Sequence, residues 1–402
     1  MKVLLAENGS YNIYEDISMG IYLVEPKELI GNYSDIPGNI SIKEKPLFPL
    51  AAVLKYDYNV VNGKRLDEIA KQYSKKDGFG MNYKEFRNGQ VELQLIWRKK
   101  QNNLSKELGK QNGNEHAHIV PKDEWIKTVW DKYSNDLLLY LQKEKIQHHT
   151  GSHNLLSSWV LCSNLYFVTI INNDFKELFK QFLENKLQIK IEKINKIHLE
   201  LVLPEELSPI ILLGEHGGIR GTRQTTPDFA IEFTSYGKEN ILLVECKYTE
   251  HSFYDCPLRS NELCKNIEIL YKNCIQKDKL KRKYWDYLSI TEYGIKILKC
   301  CPAYTGGYQI FRQQALAEGI LKSGNYENVW SCIAYDGRNE GLMRSMEKIG
   351  IKSIKNEWEK LFKLKTKFSI WEHQEWVNFV RENGNESLTK EWFEYIENRY
   401  KI

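Results

Sequence analysis

The chain has 402 residues, of which 42% are hydrophobic and 27% are charged, so it is long enough for two or three domains and should bury a substantial core. This composition is that of a folded soluble protein. The formal net charge of +4 is too small to indicate an anionic partner unless the basic residues are concentrated in a patch.

No membrane or secretory segment is recognisable in the sequence. The longest apolar segment, residues 159–171, is interrupted by Ser163 and Asn164, whereas a membrane-spanning helix needs about 18 uninterrupted apolar residues. The apolar start of the chain, residues 1–5, is too short for a secretory signal. We therefore predict no membrane span and a cytoplasmic protein whose thiols remain reduced.

The first part of the chain, residues 1–150, has a pattern of its own. The apolar or alternating runs that predict short strands are 21–25, 49–56 and 91–97. The polar segment 99–116 predicts a flexible loop, and apolar residues at helical spacing predict a helix over about 123–145. We predict an accessory or recognition region of mixed α+β structure over 1–150, followed by a second domain over 151–402.

The second part alternates between helical and strand patterns. The predicted helices are 175–187, 261–275, 308–321, 354–361 and 389–400, the last with Ser387 as its N-cap. The predicted strands are 197–203, 227–233, 241–248 and 328–335. Gly237 and Asn240 suit a tight hairpin between the second and third of these strands.

Three histidines, His148, His149 and His153, lie between the two parts. Their spacing is compatible with a metal site. Such groups also arise on ordinary loops, and we favour that interpretation.

Two acids and a lysine are predicted to meet at one end of paired strands. Pro227 and Asp228 open one strand, and Glu245 and Lys247 close the next. Lys247 shares a sheet face with Glu245 because side chains alternate along a strand. Two carboxylates are suitable ligands for Mg²⁺, and the lysine can polarise a metal-bound water or the scissile phosphate. The pattern therefore indicates a metal-dependent phosphodiesterase.

The alternative is a surface hairpin in which Asp228 caps a turn, while Glu245 and Lys247 form an ion pair of little energetic value. We favour the catalytic interpretation. The apolar run before Glu245 predicts a buried central strand, where charged groups are costly unless they serve a ligand.

The residues Pro227-Asp228, sixteen intervening residues and Glu245-Cys246-Lys247 resemble the motif of the PD-(D/E)xK nuclease superfamily. More narrowly, four segments resemble a restriction-endonuclease-like family of largely uncharacterised bacterial proteins. These segments are 155–168, 218–231, 244–253 and 306–318. The resemblance covers roughly residues 150–340. It implies an α/β fold with a restriction-endonuclease-like core, in which helices flank a mixed central sheet, and it makes 151–402 the nuclease domain.

The resemblance also implies roles for individual residues. Asp228 and Glu245 would be metal ligands, the backbone carbonyl of Cys246 would add a third oxygen, and Lys247 would be the catalytic lysine. The expected cofactor is Mg²⁺, which Mn²⁺ can replace. The implied activity is hydrolysis of DNA phosphodiester bonds by a restriction-type or anti-phage endonuclease.

Many members of the superfamily use a further acidic residue upstream of this motif. We prefer Glu215, which lies in a glycine-rich stretch that could fold over the metal. Glu200 and Glu184 remain alternatives.

Candidate DNA contacts lie on both sides of the motif. Arg220 and Arg223 precede Asp228 and could hold phosphates through charge-assisted hydrogen bonds. Gln309, Arg312 and Gln313 recur at helical spacing and could form one polar face against the DNA backbone. The basic run 277–283 could attract duplex phosphates. We expect double-stranded DNA as the partner, and cleavage of both strands would favour a homodimer or sequential nicking.

Eight cysteines occur, without any C-x-x-C pair, so a zinc ribbon is not expected. Cys256, Cys264 and Cys274, with Cys300 or Cys301, are similar in outline to the sets that hold iron–sulfur clusters in some nucleases. We nevertheless do not expect such a cluster.

Two other classes of function remain open. A catalytically idle nucleic-acid-binding module could keep the same fold, and so could a partner-binding protein that needs no metal. Both predict that DNA stays intact with Mg²⁺, and the binding module alone predicts a salt-sensitive gel shift.

Overall fold

The computed structural model describes residues 80–402, except 112, 148, 217–223, 260–263, 265–266 and 268–273, and the backbone of five strands nearer the N terminus. These strands are β1 (Lys2–Asn8), β2 (Tyr11–Asp16), β3 (Ile21–Pro26), β4 (Ser41–Ile42) and β5 (Lys45–Pro46). β1, β2 and β3 form an antiparallel sheet in that order, and β4 pairs with β5. β3 confirms the strand predicted at 21–25, whereas the one predicted at 49–56 lies outside the described residues.

Helix α1 (Gly80–Lys100) replaces the strand predicted at 91–97, so that prediction is wrong. The buried residues of this helix include Gln90, Gln94 and Trp97, which recur at helical spacing. Two of the three are polar, and the apolar pattern of the sequence therefore did not reveal the helical period. Tertiary hydrogen bonds satisfy them: Gln94 Nε2 donates to the backbone oxygen of Arg399 at 3.3 Å.

The segments that follow also differ in detail from the prediction. The predicted loop at 99–116 contains a short hairpin of β6 (Gly109–Gln111) and β7 (Asn114–His116). The single helix predicted over 123–145 is a 3-10 helix, Lys122–Thr128, and then α2 (Asp131–Lys143). Val129 separates the two because its backbone is extended.

Three consecutive helices lead into the central sheet: α3 (Ser158–Tyr166), α4 (Val168–Ile171) and α5 (Asn173–Leu187). Helix α5 confirms the prediction at 175–187. It begins after Asn172, whose side chain accepts hydrogen bonds from the first turn of the helix.

The central sheet has five strands: β8 (Lys193–Leu199), β9 (Phe229–Ser235), β10 (Lys238–Lys247), β11 (Asn328–Tyr335) and β12 (Lys367–Glu372). Their spatial order is β12-β11-β10-β9-β8. The pairs β8–β9 and β9–β10 are antiparallel, whereas β10–β11 and β11–β12 are parallel. This confirms a mixed sheet with β10 at its centre, and β11 matches its predicted bounds. The sequence analysis did not predict β12.

The turn between β9 and β10 consists of Tyr236 and Gly237, with φ of 50° and 69°. Left-handed backbone at both positions is the geometry that matches the twist of a two-residue hairpin. The predicted hairpin is therefore confirmed at Gly237, whereas Asn240 lies within β10 and pairs with Phe233.

The other helices are α6 (Pro209–Leu213), α7 (Ile275–Leu280), α8 (Tyr284–Tyr287), α9 (Glu292–Ile297), α10 (Tyr308–Lys322), α11 (Glu340–Met343), α12 (Ile354–Glu357), α13 (His373–Asn383) and α14 (Glu386–Tyr400). Single 3-10 turns occur at Glu205–Leu207, Glu347–Ile349 and Glu359–Leu361. α10 and α14 confirm two predicted helices, but the N-cap of α14 is Asn385, not Ser387. Most of the helix predicted at 261–275 lies outside the described residues.

Apolar side chains cover both faces of the sheet. On one face, Leu242 and Val244 of β10 pack in a cluster with residues of α3, α5 and α13. On the other face, Ile241 and Leu243 pack with residues of α10. Burial on both faces explains why β10 is almost continuously apolar. Among the described residues, no helix is long and apolar enough to span a membrane.

The core is continuous across residue 150, where the sequence analysis places a domain boundary. Val129, Tyr133 and Leu137 pack in the same cluster as Trp159 and Phe167. In addition, α1 packs against α14 at the end of the chain. Residues from about 80 to 150 therefore share the core of the sheet, and a separate role for the N-terminal region stays a prediction only for the residues before α1.

Candidate active site

Asp228 lies directly before β9, where the strand pairing with β10 ends. Its neighbour Phe229 packs on one face of the sheet, so the Asp228 side chain lies on the opposite side. Its Oδ2 accepts a 2.8 Å hydrogen bond from the backbone N–H of Cys246. The residue is partly buried, and this hydrogen bond holds its carboxylate against the end of β10.

Glu245 and Lys247 lie at this end of β10, on the same side of the sheet. Lys247 Nζ is 2.7 Å from Glu245 Oε1. The two residues are only 6% and 2% exposed, so this ion pair is not a surface pair of the kind considered in the alternative interpretation. A buried pair requires compensation for lost hydration, because its Coulomb attraction alone is often insufficient.

The charges of these three residues act on one another. Burial and then the nearby Glu245 carboxylate raise the pKa of Asp228 well above its usual range, against the opposing effects of Lys247 and the Cys246 hydrogen bond. Burial lowers the pKa of Lys247, but Glu245, Glu250 and Asp228 outweigh it and raise that pKa above its usual range. Lys247 is therefore a cation at neutral pH.

Cys246 contributes only its backbone to this group. Its side chain points into the opposite core, where its Sγ is 3.3 Å from Cys162 Sγ. The thiol is completely buried and behaves as a small apolar group.

The segment after Lys247 is held by residues far away in the sequence. Asn339 Nδ2 donates to the backbone oxygens of Tyr248 and Glu250 at 2.9 and 2.8 Å. The Tyr254 ring lies 5.5 Å from Lys247 Nζ. The sequence analysis did not identify Asn339 or Tyr254, because neither belongs to a recognisable local pattern.

Of the three upstream acids considered, Glu200 is the one beside the site. It follows β8, is 7% exposed, and its backbone N–H donates to the backbone oxygen of Asp228 at 2.8 Å. Its charge also raises the pKa of Asp228, although less than burial and Glu245 do. By contrast, Glu184 Oε1 accepts a hydrogen bond from the backbone N–H of Ile191 at 2.8 Å.

Glu215, the preferred upstream acid, is completely buried and bound to other protein groups. Arg312 Nε and Nη2 lie 3.1 and 3.2 Å from its two carboxylate oxygens. Tyr284 and Thr225 donate hydroxyl hydrogen bonds to its Oε1 at 2.8 and 2.7 Å. Such a saturated carboxylate anchors the segment that leads into Asp228 and has little capacity left for a metal.

The predicted DNA contacts on α10 need correction. Arg312 forms an ion pair with Glu215, and its side chain is only 15% exposed. Gln313 is buried, and its Nε2 donates to Ser331 Oγ at 3.1 Å and to the backbone oxygen of Cys332 at 3.0 Å. Both side chains therefore face the protein core, because α10 packs along the sheet. Gln309 is partly buried, and its backbone N–H donates to the Phe253 oxygen at 2.9 Å.

Two further groups of predicted residues have different outcomes. Arg220 and Arg223 lie outside the described residues. His149 Nδ1 accepts a hydrogen bond from the Gly151 N–H, His153 Nε2 lies 3.4 Å from the Lys110 oxygen, and His148 is outside the described part. Within the part that the structure describes, no group of three or more His, Cys, Asp or Glu residues is arranged to hold a metal ion.

The donor set nevertheless suits a hard divalent cation. Asp228 and Glu245 supply carboxylate oxygens, and their mutual repulsion, visible in the raised pKa of Asp228, is what a cation between them would relieve. Mg²⁺ is commonly bound by only one or two carboxylates and keeps several waters, so a third acidic ligand is not required.

A family model described as "restriction endonuclease associating with ARP" matches residues 90–401. The chain belongs to this family. The mixed sheet flanked by helices is accordingly a restriction-endonuclease-like core. Membership in a restriction-endonuclease-like family implies nucleic-acid binding and points to a nuclease-type or defence role.

The family match begins within α1 and ends at residue 401, directly after α14, so it covers the helices before residue 150 that share the core of the sheet. No curated protein matches the chain, and no solved structure does.

Proposed function

We propose that this protein is a Mg²⁺-dependent endonuclease that hydrolyses double-stranded DNA in a restriction-type or anti-phage role, with Mn²⁺ able to replace Mg²⁺. The observation that carries the proposal is the convergence of Asp228, Glu245 and Lys247 on one side of the sheet, at the end of its central strand. Burying three charged groups together is costly unless they serve a ligand or a reaction.

Asp228, Glu245 and the backbone carbonyl of Cys246 would hold the ion. When bound, the ion would lower the pKa of a water and offset negative charge on the phosphate. We also propose Glu200, in place of Glu215, as the upstream acid, because its charge acts on Asp228 whereas Glu215 is bound by Arg312.

Lys247 would act as an electrostatic and hydrogen-bonding group. Since it stays protonated at neutral pH, it can donate to a phosphate oxygen or orient the attacking water, but it has no free electron pair with which to accept a proton. Its ion pair with Glu245 fixes the position of the ammonium before substrate arrives.

The proposed path for DNA runs beside the basic run 277–283. Lys279, Lys281 and Lys283 of this run are exposed, and the Lys283 N–H donates to the backbone oxygen of Leu213 at 2.9 Å. The run therefore lies next to the segment that contains Glu215. Glu215 in turn accepts a hydrogen bond from Thr225, which precedes Asp228 by three residues. Exposed lysines contribute counterion release and steering without sequence specificity.

Cleavage of plasmid DNA tests this proposal. Wild type and Lys247→Met would be incubated with methylated and unmethylated DNA, with and without Mg²⁺. We expect metal-dependent cutting by the wild type and a loss of at least about 100-fold in Lys247→Met. Any dependence on methylation would show whether modified or unmodified DNA is the target.

Two controls make the result decisive. Lys390→Met removes an exposed lysine from α14 and should cut as the wild type does. Thermal melting shows whether Lys247→Met is folded, and the isosteric Asp228→Asn provides a second inactive variant. A wild type that shifts DNA in a gel but cuts none under any of these conditions would be an idle binding module, and the proposal would be wrong.

The homodimer and the cytoplasmic location are further parts of the proposal. A dimer would place two sites on one duplex, and sedimentation with and without DNA would measure it. A monomer that cuts both strands would indicate sequential nicking instead.

A further inference from the structure

Four of the eight cysteines surround one internal cavity on the α10 side of the sheet. These are Cys256, Cys264, Cys274 and Cys301. The cavity has a volume of about 20 Å³, which is too small for an organic cofactor. Apart from Gln276, the other lining residues are aromatic or aliphatic, so the thiols are its main polar groups.

Two of these sulfurs already accept hydrogen bonds in the same local geometry. Cys256 and Cys301 are each followed by proline. In each case the backbone N–H two residues after the cysteine donates to its sulfur, from Leu258 and from Ala303. A thiol sulfur is a weak acceptor, whereas hydrogen bonds to sulfur are a regular feature of metal-bound thiolates, whose properties they tune.

Gln276 adds a third donor to this arrangement. Its buried side chain donates through Nε2 to Cys256 Sγ at 3.4 Å and to the Tyr308 hydroxyl at 3.2 Å. A buried amide aimed at a sulfur is best satisfied when that sulfur carries negative charge.

Backbone hydrogen bonds hold the cysteine segments together independently of any ligand. The Cys301 N–H donates to the backbone oxygen of Cys264 at 2.7 Å. The Cys256 N–H donates to the backbone oxygen of Ala303 at 3.0 Å. Three of the four segments are thus joined directly, which reduces the ordering cost of binding a metal.

Cys300, directly before Cys301, provides a contrast. It does not line the cysteine cavity but a different pocket, together with Arg259 and Lys299. All eight cysteines are described, and none forms a disulfide. Sequence proximity alone therefore does not explain which cysteines converge.

We propose that Cys256, Cys264, Cys274 and Cys301 bind a soft metal centre, either one zinc ion or an iron–sulfur cluster, through four thiolates. Sulfur ligands select these metals over the Mg²⁺ of the proposed active site. Since no three acidic, histidine or cysteine side chains of the described residues are arranged for a metal ion, the thiols would close around one ion or move apart around a cluster. Of the two, only the iron–sulfur cluster would differ from the expectation, drawn from sequence, that no cluster is present.

The centre would brace the loop that carries the proposed active site. Cys256 lies nine residues after Lys247. Between them, Tyr254 places its ring near the Lys247 ammonium, and its backbone oxygen accepts a 3.0 Å hydrogen bond from Tyr308 N–H. Fixing Cys256 would fix the end of this loop. The proposal does not depend on nuclease activity, since binding of the metal is measured directly.

Metal analysis of the full-length protein tests this inference. The protein would be purified anaerobically from cells supplied with iron and zinc, and its zinc, iron and acid-labile sulfide would be measured per chain. About one zinc per chain supports a single ion, whereas about four iron atoms with sulfide and visible charge-transfer absorption support a [4Fe–4S] cluster. A wild type with substoichiometric amounts of both metals would overturn the proposal.

Matched variants assign the metal to these residues. The double variant Cys256→Ser, Cys301→Ser should lose the metal, and Cys300→Ser should keep it. Retention of the metal by the double variant, or equal loss from Cys300→Ser, would also overturn the assignment. If the double variant is insoluble, chelation of the wild type replaces it, and protection from hydrogen exchange at 249–258 should then fall.

Discussion

Oδ2 of Asp228 accepts a hydrogen bond from the backbone N–H of Cys246, and this 2.8 Å contact fixes one acid between the positions of the other acid and the lysine. The contact arises because the last paired residues of β9 and β10 are Phe229 and Val244. Asp228 is one residue outside this pairing, and its carboxylate replaces a strand partner for the next free N–H. The register of β9 on β10 thus places the Asp228 carboxylate beside Glu245 and Lys247.

Asp228→Asn should increase stability and remove activity. At neutral pH the mutation removes a charge that burial and Glu245 disfavour, so the free energy of unfolding should rise by about 1 kcal/mol. A carboxyl group with a raised folded-state pKa loses stability as pH rises above its unfolded pKa, so the difference should vanish under acid conditions. Denaturant titration between about pH 4 and pH 8 measures this. A variant that is less stable than wild type throughout would contradict the charge argument.

Glu200→Gln should affect DNA cleavage, whereas Glu215→Gln should affect the stability of the fold. The first should reduce cleavage by about 100-fold with little loss of stability, because Glu200 adjoins Asp228. The second should lower stability by about 3 kcal/mol, because it leaves Arg312 buried without its charge partner. Cleavage rates normalised to folded protein separate the two. Unchanged cleavage in Glu200→Gln would exclude it as the upstream acid.

Gly214→Ala should destabilise the protein more than Gly324→Ala does, although both glycines have a positive φ. Gly214 has φ of +68°, and a Cβ there would lie 2.5 Å from the backbone oxygen of Lys281. We expect a loss of about 3 kcal/mol. Gly324→Ala is the control, since its φ is +80° but no atom lies within 4 Å of the added Cβ. It should cost only about 1 kcal/mol. Equal losses in thermal melts would show that the close approach to Lys281 has no effect.

His373 should make the protein sensitive to acid. Its Nε2 lies 3.1 Å from the Lys247 backbone oxygen, so this nitrogen carries the proton, and Nδ1 accepts from the Tyr166 hydroxyl at 2.9 Å. Burial lowers the pKa of His373 to about 4. Because the unfolded chain binds the proton more readily, stability is lost as pH falls from about 6.5 toward 4, by up to about 3 kcal/mol.

The comparison between wild type and His373→Gln measures this effect. The variant should begin less stable at neutral pH, but its stability should fall less steeply with acid. Urea titrations at several pH values give both slopes. Parallel slopes would assign the acid sensitivity to other groups.

Predictions from sequence succeeded where the evidence is local. β11 has its predicted bounds, and the hairpin at Gly237 is present, because strand periodicity and turn chemistry depend on neighbouring residues. The placement of Glu245 and Lys247 on one side of a central strand follows from the same local alternation.

Predictions failed where partners distant in sequence decide the outcome. The helical period of α1 was not recognised because two of its buried positions, Gln90 and Gln94, are polar. Hydrogen bonds with Tyr248 and Arg399 offset the cost of burying these amides. Arg312 looked available for DNA on a polar helix face, but its partner is Glu215, which lies almost one hundred residues earlier. The spacing within a helix gives no information about such a partner.

By itself, the sequence determined β9, β10 and β11 of the central sheet and the positions of two acids and a lysine at one end of it, whereas β8 lies four residues before its predicted position of 197–203. Only the tertiary structure decided that Glu200 adjoins Asp228, that Glu215 serves as an anchor, and that four separate cysteines surround one cavity. The physical reason is that alternation and turn geometry act over a few residues, whereas burial and charge pairing depend on which distant segments the folded core brings together.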